Sequence, residues 1–261
     1  MADEQLTDGK IIRTLSKEAL EIVKDYENVP YYNNKHRQVR MALRVLVGKG
    51  SPEEIAHEVL IYALREKVDF KNLTPELQKK FLIEHNIGID CSGLAYYILD
   101  AESTARGKGT LASQLNFPSA NGPFMRLGRF FRRRYVENAG VRTFAYETNS
   151  HEIPLLDITP ADLIVILESG TNISANHVLI VTQVNLIQNM PTEIHYIHSI
   201  AWPVDGKFGH GVREGRIAIK NINKSLLDQT WIENGKIGLE NFTYHKASAA
   251  GSLSLRRLNW L

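Results

Sequence analysis

Apolar residues recur along this chain with two different periods. Up to about residue 100 the step is three and four residues, which is the period of helices packed by one face. Leu15, Ala19, Leu20, Ile22, Val23 and Tyr26 trace such a face, with Ser16 placed to cap it and Pro30 to end it. Residues 35–86 continue in the same period. Val39, Ala42, Leu43 and Leu46 form one stripe, and Ser51-Pro52-Glu53-Glu54 is a capping box with proline at the first helical position. The helix it opens runs through Ile55, Val59, Leu60, Ala63 and Leu64, and Thr74-Pro75-Glu76-Leu77 opens another that carries Leu77, Phe81 and Leu82. A further helix begins at Gly88-Ile89-Asp90-Cys91-Ser92-Gly93, its buried face marked by Leu94, Ala95, Ile98 and Leu99.

From residue 154 the period becomes that of strands. Asp162–Leu167, Val178–Val184 and Ile194–Ile200 are rich in β-branched residues and nearly continuous in apolar ones, the pattern of strands covered on both faces. Val204-Asp-Gly-Lys207 and Glu233-Asn-Gly-Lys236 carry two-residue hairpin signals, and Arg216–Ile219 and Ser254–Leu258 are further strand candidates. Between the two regimes, residues 101–150 have a weak pattern punctuated by Gly107, Gly109, Pro118 and Asn121-Gly122-Pro123. Helices first and an antiparallel sheet afterwards predict an α+β fold.

Composition narrows the classes. The chain has 261 residues, 43% hydrophobic and 23% charged, and its 31 basic and 29 acidic residues leave a net charge of +2. No global field therefore selects nucleic acid or an anionic membrane. Arg126, Arg129 and Arg132–Arg134 surround Phe130 and Phe131, either as a helix binding an anionic polymer or as a solvated face over two buried phenylalanines. No aromatic or glycine signature of a nucleic-acid module accompanies them, so the solvated face is preferred and no nucleic-acid partner is expected. The single cysteine rules out an intrachain disulfide and agrees with a reducing compartment. The first ten residues open with acids, and the longest apolar runs, Ile61–Leu64 and Leu163–Leu167, fall far short of the ~18 residues of a membrane span. A cytoplasmic chain without membrane contact is expected, and no phosphate-cradling glycine loop suggests a cofactor.

The candidate chemistry centres on Cys91. In the first turn of a helix, unpaired N–H groups and the macrodipole favour thiolate over thiol, as a cysteine nucleophile requires. An ordinary buried cysteine is the alternative reading. It would need neither the flanking Gly88 and Gly93, which permit a close approach, nor the polar neighbours Asp90 and Ser92. A thiol attacking an acyl carbon also needs a base, and of nine histidines His177 stands at the head of a strand directly after the polar loop 169–176.

Gly88-Ile-Asp-Cys-Ser-Gly-Leu94 resembles the nucleophile motif of the NlpC-type cell-wall cysteine peptidases, a compact papain-like family. The likeness extends to Ala161-Asp-Leu-Ile-Val165, which leads through a loop to His177-Val-Leu-Ile180, and to the pair Ile197-His198, so that it covers about residues 87–202. It implies a papain-like core in which the nucleophile helix packs on an antiparallel sheet, with a triad of Cys91, His177 and His198. His195 competes with His198 for the third place, but residues three apart on a strand face opposite ways, so only one can meet His177. The same parity argues against a metal site built on both. Pro30-Tyr31 is similar to the family's Pro-Tyr, whose tyrosine lines the substrate pocket. Tyr32-Asn33-Asn34 stands where Trp-Gly-Gly is usual, which makes residues 35–86 a helical insertion. Asp90 and Ser92 match family positions that hold the free amine of a stem peptide.

The resemblance implies a cysteine amidase or endopeptidase acting through an acyl-enzyme on peptide or muropeptide substrates, at the bond between γ-D-glutamate and a diamino acid. A transglutaminase-like or other papain-like acyltransferase and a catalytically silent muropeptide-binding module are the alternatives. The expected organisation is one catalytic domain, with an N-terminal helix and Pro-Tyr segment (1–34), the insertion (35–86), the catalytic core (87–202) and a β-rich extension (203–261). Oligomeric state is not specified by these features.

Overall fold

Among the described residues, each of the four long helices starts where a side chain can take up N–H groups that a first helical turn leaves open. The computed structural model describes residues 3–7, 9–33, 44–117, 135–168, 176–202 and 206–261. In α1 (Lys17–Asp25) the Ser16 hydroxyl accepts from the Ala19 N–H. In α2 (Pro52–Glu66) Ser51 and Glu54 cap reciprocally, with proline at the first position. Thr74 caps α3 (Pro75–Glu84) and Asp90 caps α4 (Cys91–Ala105). Three short helical turns, Leu111–Gln114, Tyr135–Asn138 and Val141–Phe144, occupy part of the weakly patterned region. The Val39, Ala42 and Leu43 stripe, the arginine cluster at 126–134 and the loop residues 169–175 lie outside the described residues.

Among the described residues, ten strands form one sheet in which every ladder is antiparallel. They are β1 (Asp3–Thr7), β2 (Lys10–Thr14), β3 (Ser150–Glu152), β4 (Leu163–Leu167), β5 (His177–Ile187), β6 (Met190–Ile200), β7 (Gly211–Ala218), β8 (Thr230–Glu233), β9 (Lys236–Ile237) and β10 (Ser252–Leu258). The main order is β3-β10-β4-β5-β6-β7-β8-β9. One edge of β5 serves two partners, β4 along residues 177–180 and β2 along residues 183–187.

The strands are covered on both faces, and their alternation sorts side chains into two cores. Leu163, Val165, Val178 and Ile180 join Leu94, Ile98 and the apolar faces of α1–α3. Ile164, Ile166, Leu179 and Val181 pack on the other side with Tyr196, Ile217, Trp231 and Leu255. An irregularity between Val181 and Gln183 inverts the parity of β5, so that Val184 and Leu186 also enter the second core. Each buried side chain of this size contributes roughly 1.5–3 kcal/mol.

Two expectations change. The N-terminal hairpin of β1 and β2 is additional to the predicted elements. The hairpin expected at Val204–Lys207 lies partly outside the described residues; of its four positions Gly206 and Lys207 are in a helical turn, Gly206–Gly209, and the β6–β7 ladder ends at Ile200↔Gly211. The second hairpin does form, with Asn234 at φ 52 and Gly235 at φ 72 joining the facing pair Glu233↔Lys236. Both central residues need positive φ, which is why Asn-Gly suits the turn. Among the described residues, no helix is long and apolar enough to cross a membrane.

Candidate active site

The backbone before Cys91 is extended because three distant segments hold it. The Ile89 N–H donates to Pro30 O at 3.0 Å, the Asp90 N–H to Gly48 O at 3.0 Å, and the Ser199 hydroxyl to Ile89 O at 2.7 Å. Helix α4 starts where this clamp ends, so Cys91 falls in its first turn. The Val178 backbone N–H at the head of β5 faces the thiol and favours its ionised form. Gly93 allows the segment around Gly48 to come close, since a Cβ there would lie 2.7 Å from Gly48 O.

That approach puts Lys49 beneath the helix start. Its ammonium lies 2.9 Å from Asp90 Oδ1 and donates to Ser92 Oγ at 2.5 Å and to Ala139 O at 2.9 Å. All three side chains are buried. Asp90 thus has two structural tasks, accepting the Gly93 N–H at 2.6 Å and pairing with Lys49, and Ser92 donates to its Oδ1 at 3.1 Å.

Cys91 and His177 line one cleft of about 370 Å³, together with Tyr31, Asp90, Ser92 and Lys246. Tyr31 is brought there by a parallel bridge to Ile89, although α2 and α3 intervene in sequence. Its phenol is pushed above its usual range by burial first, then by the neighbouring Cys91 and Asp90. Behind His177 lies His198, with Nε2 of the former 2.6 Å from Nδ1 of the latter. His195, on the opposite parity, meets Glu193 at 2.9 Å and is partly exposed.

The electrostatics overturn one expectation. The helix start does not hold a resting thiolate: burial, and then the Asp90 carboxylate, push the Cys91 thiol up to about 11, against the opposing pull of Lys49, the Val178 N–H and Lys246. His177 is held well below its ordinary 6.5 by burial, then by His198 and Lys246. Thiol and imidazole are therefore both neutral at rest, because desolvation penalises either charge more than the available partners repay it.

Two further residues complete the arrangement. Glu233 Oε2 lies 3.1 Å from His198 Nε2 and accepts the Tyr196 phenol at 2.8 Å. The direction of donation then follows. A carboxylate only accepts, so His198 carries its proton on Nε2, its Nδ1 is an acceptor, and His177 donates from Nε2. This leaves His177 Nδ1 as the basic nitrogen. The sequence reading found Cys91, His177 and His198 but not Glu233, Tyr196 or Lys49. Glu233 was visible only as the residue before an Asn-Gly turn, since its approach to His198 spans the intervening strand β7. No protein-family model matches the chain, and no curated protein matches it in sequence.

Proposed function

We propose that the protein is a cysteine amidase or endopeptidase that hydrolyses an amide bond in peptidoglycan-type stem peptides, at the γ-D-glutamyl–diamino acid bond or one like it, on a papain-like, NlpC-type core. The observation that carries this reading is the convergence of Cys91, on the first turn of α4, with His177 in one cleft, His198 standing directly behind the imidazole. The substrate class rests on the Asp-Cys-Ser-Gly resemblance.

In the mechanism this geometry supports, His177 Nδ1 takes the thiol proton as Cys91 Sγ bonds to the acyl carbon, so neither ionic form has to persist in the resting site. The carbonyl oxygen gains negative charge near the Cys91 and Ser92 N–H groups at the start of α4, which precede its first internal bond, the Gly93 N–H being taken by Asp90 Oδ1. The imidazolium then gives its proton to the departing amine nitrogen, the C–N bond breaks, and a thioester remains. His177 deprotonates a water that attacks the thioester, and the released sulfur recovers the proton. Tyr31 forms a wall of the cleft beside the thiol. Asp90 and Ser92 already hold the Lys49 ammonium, so a substrate amine would have to share or displace it.

Incubation with a panel of defined muropeptides, read by mass spectrometry, tests the reading. Cleavage with uptake of one water, lost in both Cys91→Ala and His177→Ala, is expected. Incorporation of an added amine instead would identify an acyltransferase. No turnover, with Cys91 inert to thiol probes, would identify a binding module.

A further inference from the structure

Glu233 closes β8, two strands away from His198, and it is 2% exposed; His198 and Tyr196 are fully buried. A carboxylate so deep in the protein is costly unless charge-assisted hydrogen bonds surround it. Two donors converge on its Oε2, His198 Nε2 at 3.1 Å and the Tyr196 hydroxyl at 2.8 Å, while Oε1 is buried without a hydrogen-bond partner. The intervening strand is adapted to this contact. Tyr196 faces Gly215 in the β6–β7 ladder, and a Cβ on Gly215 would lie 2.3 Å from the Tyr196 hydroxyl oxygen. Only glycine lets the phenol lie across β7 and reach β8. Three strands are thus shaped to present one carboxylate to the back of the histidine pair.

We propose that Glu233 is a positioning residue of the active site, holding His198 in the tautomer that orients His177 and counterbalancing the positive charge the pair gains when Cys91 gives up its proton. This rests on reading His177 as the base. The two parts of the role are separable. Any acceptor at this position would fix the tautomer, whereas only an anion offsets the charge. The groups facing the relay from each packed element are His198 and Lys246 around His177, with Cys91 in the same cleft, Tyr196 and Thr243 around Glu233, and Asp90, Lys49 and Tyr31 around the thiol. Lys246 opposes protonation of His177, and Glu233 is the carboxylate in contact with the pair.

Glu233→Gln keeps an acceptor for the His198 N–H and removes the charge. With a γ-D-glutamyl-diaminopimelate peptide as substrate, kcat is expected to fall roughly 10- to 10³-fold with KM little changed. The acid limb of the kcat/KM profile should move to lower pH, because an imidazole deprived of its neighbouring anion is harder to protonate. A purely structural role would not move that limb. Unchanged kcat with an unmoved limb would overturn the proposal and leave the hydrolase reading standing. If the wild-type protein does not turn over, that reading falls, and ¹⁵N resonances of the two histidines still decide the role of Glu233. They should show His198 protonated on Nε2, with a pair titration that moves in Glu233→Gln; identical titrations in both proteins would refute it. Should the glutamine variant not fold, Glu233→Asp, which retracts the carboxylate by about one methylene, must shift the same resonances, and no shift counts against the proposal.

Discussion

Removing either partner of the Lys49–Asp90 pair should destabilise the protein while moving the Cys91 thiol in opposite directions. The two side chains are 8% and 7% exposed and 2.9 Å apart, so their mutual attraction at an effective dielectric of 20 is about 6 kcal/mol before desolvation is counted. Loss of one member of such a pair leaves an uncompensated buried charge, at a net cost of roughly 3–5 kcal/mol. Lys49→Met fills similar volume and also strips a donor from Ser92 Oγ and from Ala139 O, so it belongs at the upper end. Asp90→Asn keeps the acceptor for the Gly93 N–H and hence the helix cap, which places it at the lower end. Urea denaturation gives the free energies. Alkylation of the only cysteine by iodoacetamide, followed against pH, gives the thiol. Because Lys49 pulls that thiol down and Asp90 pushes it up, Lys49→Met should alkylate more slowly than wild type at pH 8 and Asp90→Asn faster. A cost below about 1 kcal/mol for both variants, or thiol shifts of the same sign, would refute this account of the helix start.

Parity on β6 separates two histidines: His198→Ala should lower turnover by on the order of 10- to 10⁴-fold, whereas His195→Ala should leave it within a few fold, and the reversed result would mean that His198 does not support the base. His177 contributes a pH dependence to stability whose sign is fixed. Its folded-state value lies below 6.5, so the unfolded chain takes up the proton first, and the stability present above pH 6.5 is lost as pH falls. Thermal midpoints between pH 7 and 5 should therefore fall less steeply in His177→Asn, and parallel curves would exclude this contribution. The depressed Glu233 carboxylate acts below its ordinary 4.5, outside that window.

What could be read in the sequence was local. Ser16, Ser51, Thr74 and Asp90 each announce a helix start because a cap and its target N–H lie two or three residues apart. Asn234-Gly235 announces a turn for the same reason. The thiol was misjudged because the helix start is a local feature and desolvation is not. The favourable N–H groups are encoded beside Cys91, but the burial and the Asp90 carboxylate that outweigh them act through the packed surroundings. Lys49 and Glu233 escaped for a related reason: each reaches the site through contacts that no periodicity reports. β1 and β2 are short and half polar, and become a sheet edge only where β5 extends past β4 to receive them.

The position of β10 bears on when the candidate site can form during synthesis. Residues 252–258 form an interior strand, inserted between β3 and β4, and β4 in turn supports the head of β5, where His177 stands. A chain leaving the ribosome N-terminus first has Cys91 and both histidines outside the exit tunnel well before that strand. Until it emerges, β4 has one unpaired edge, and Arg257 has yet to reach Asp162, its buried partner at 2.7 Å. Cys91, His177 and His198 are translated before β10, and β4, which carries the head of β5, gains its second ladder only when residues 252–258 emerge, so the candidate site cannot take its final form before that strand is made.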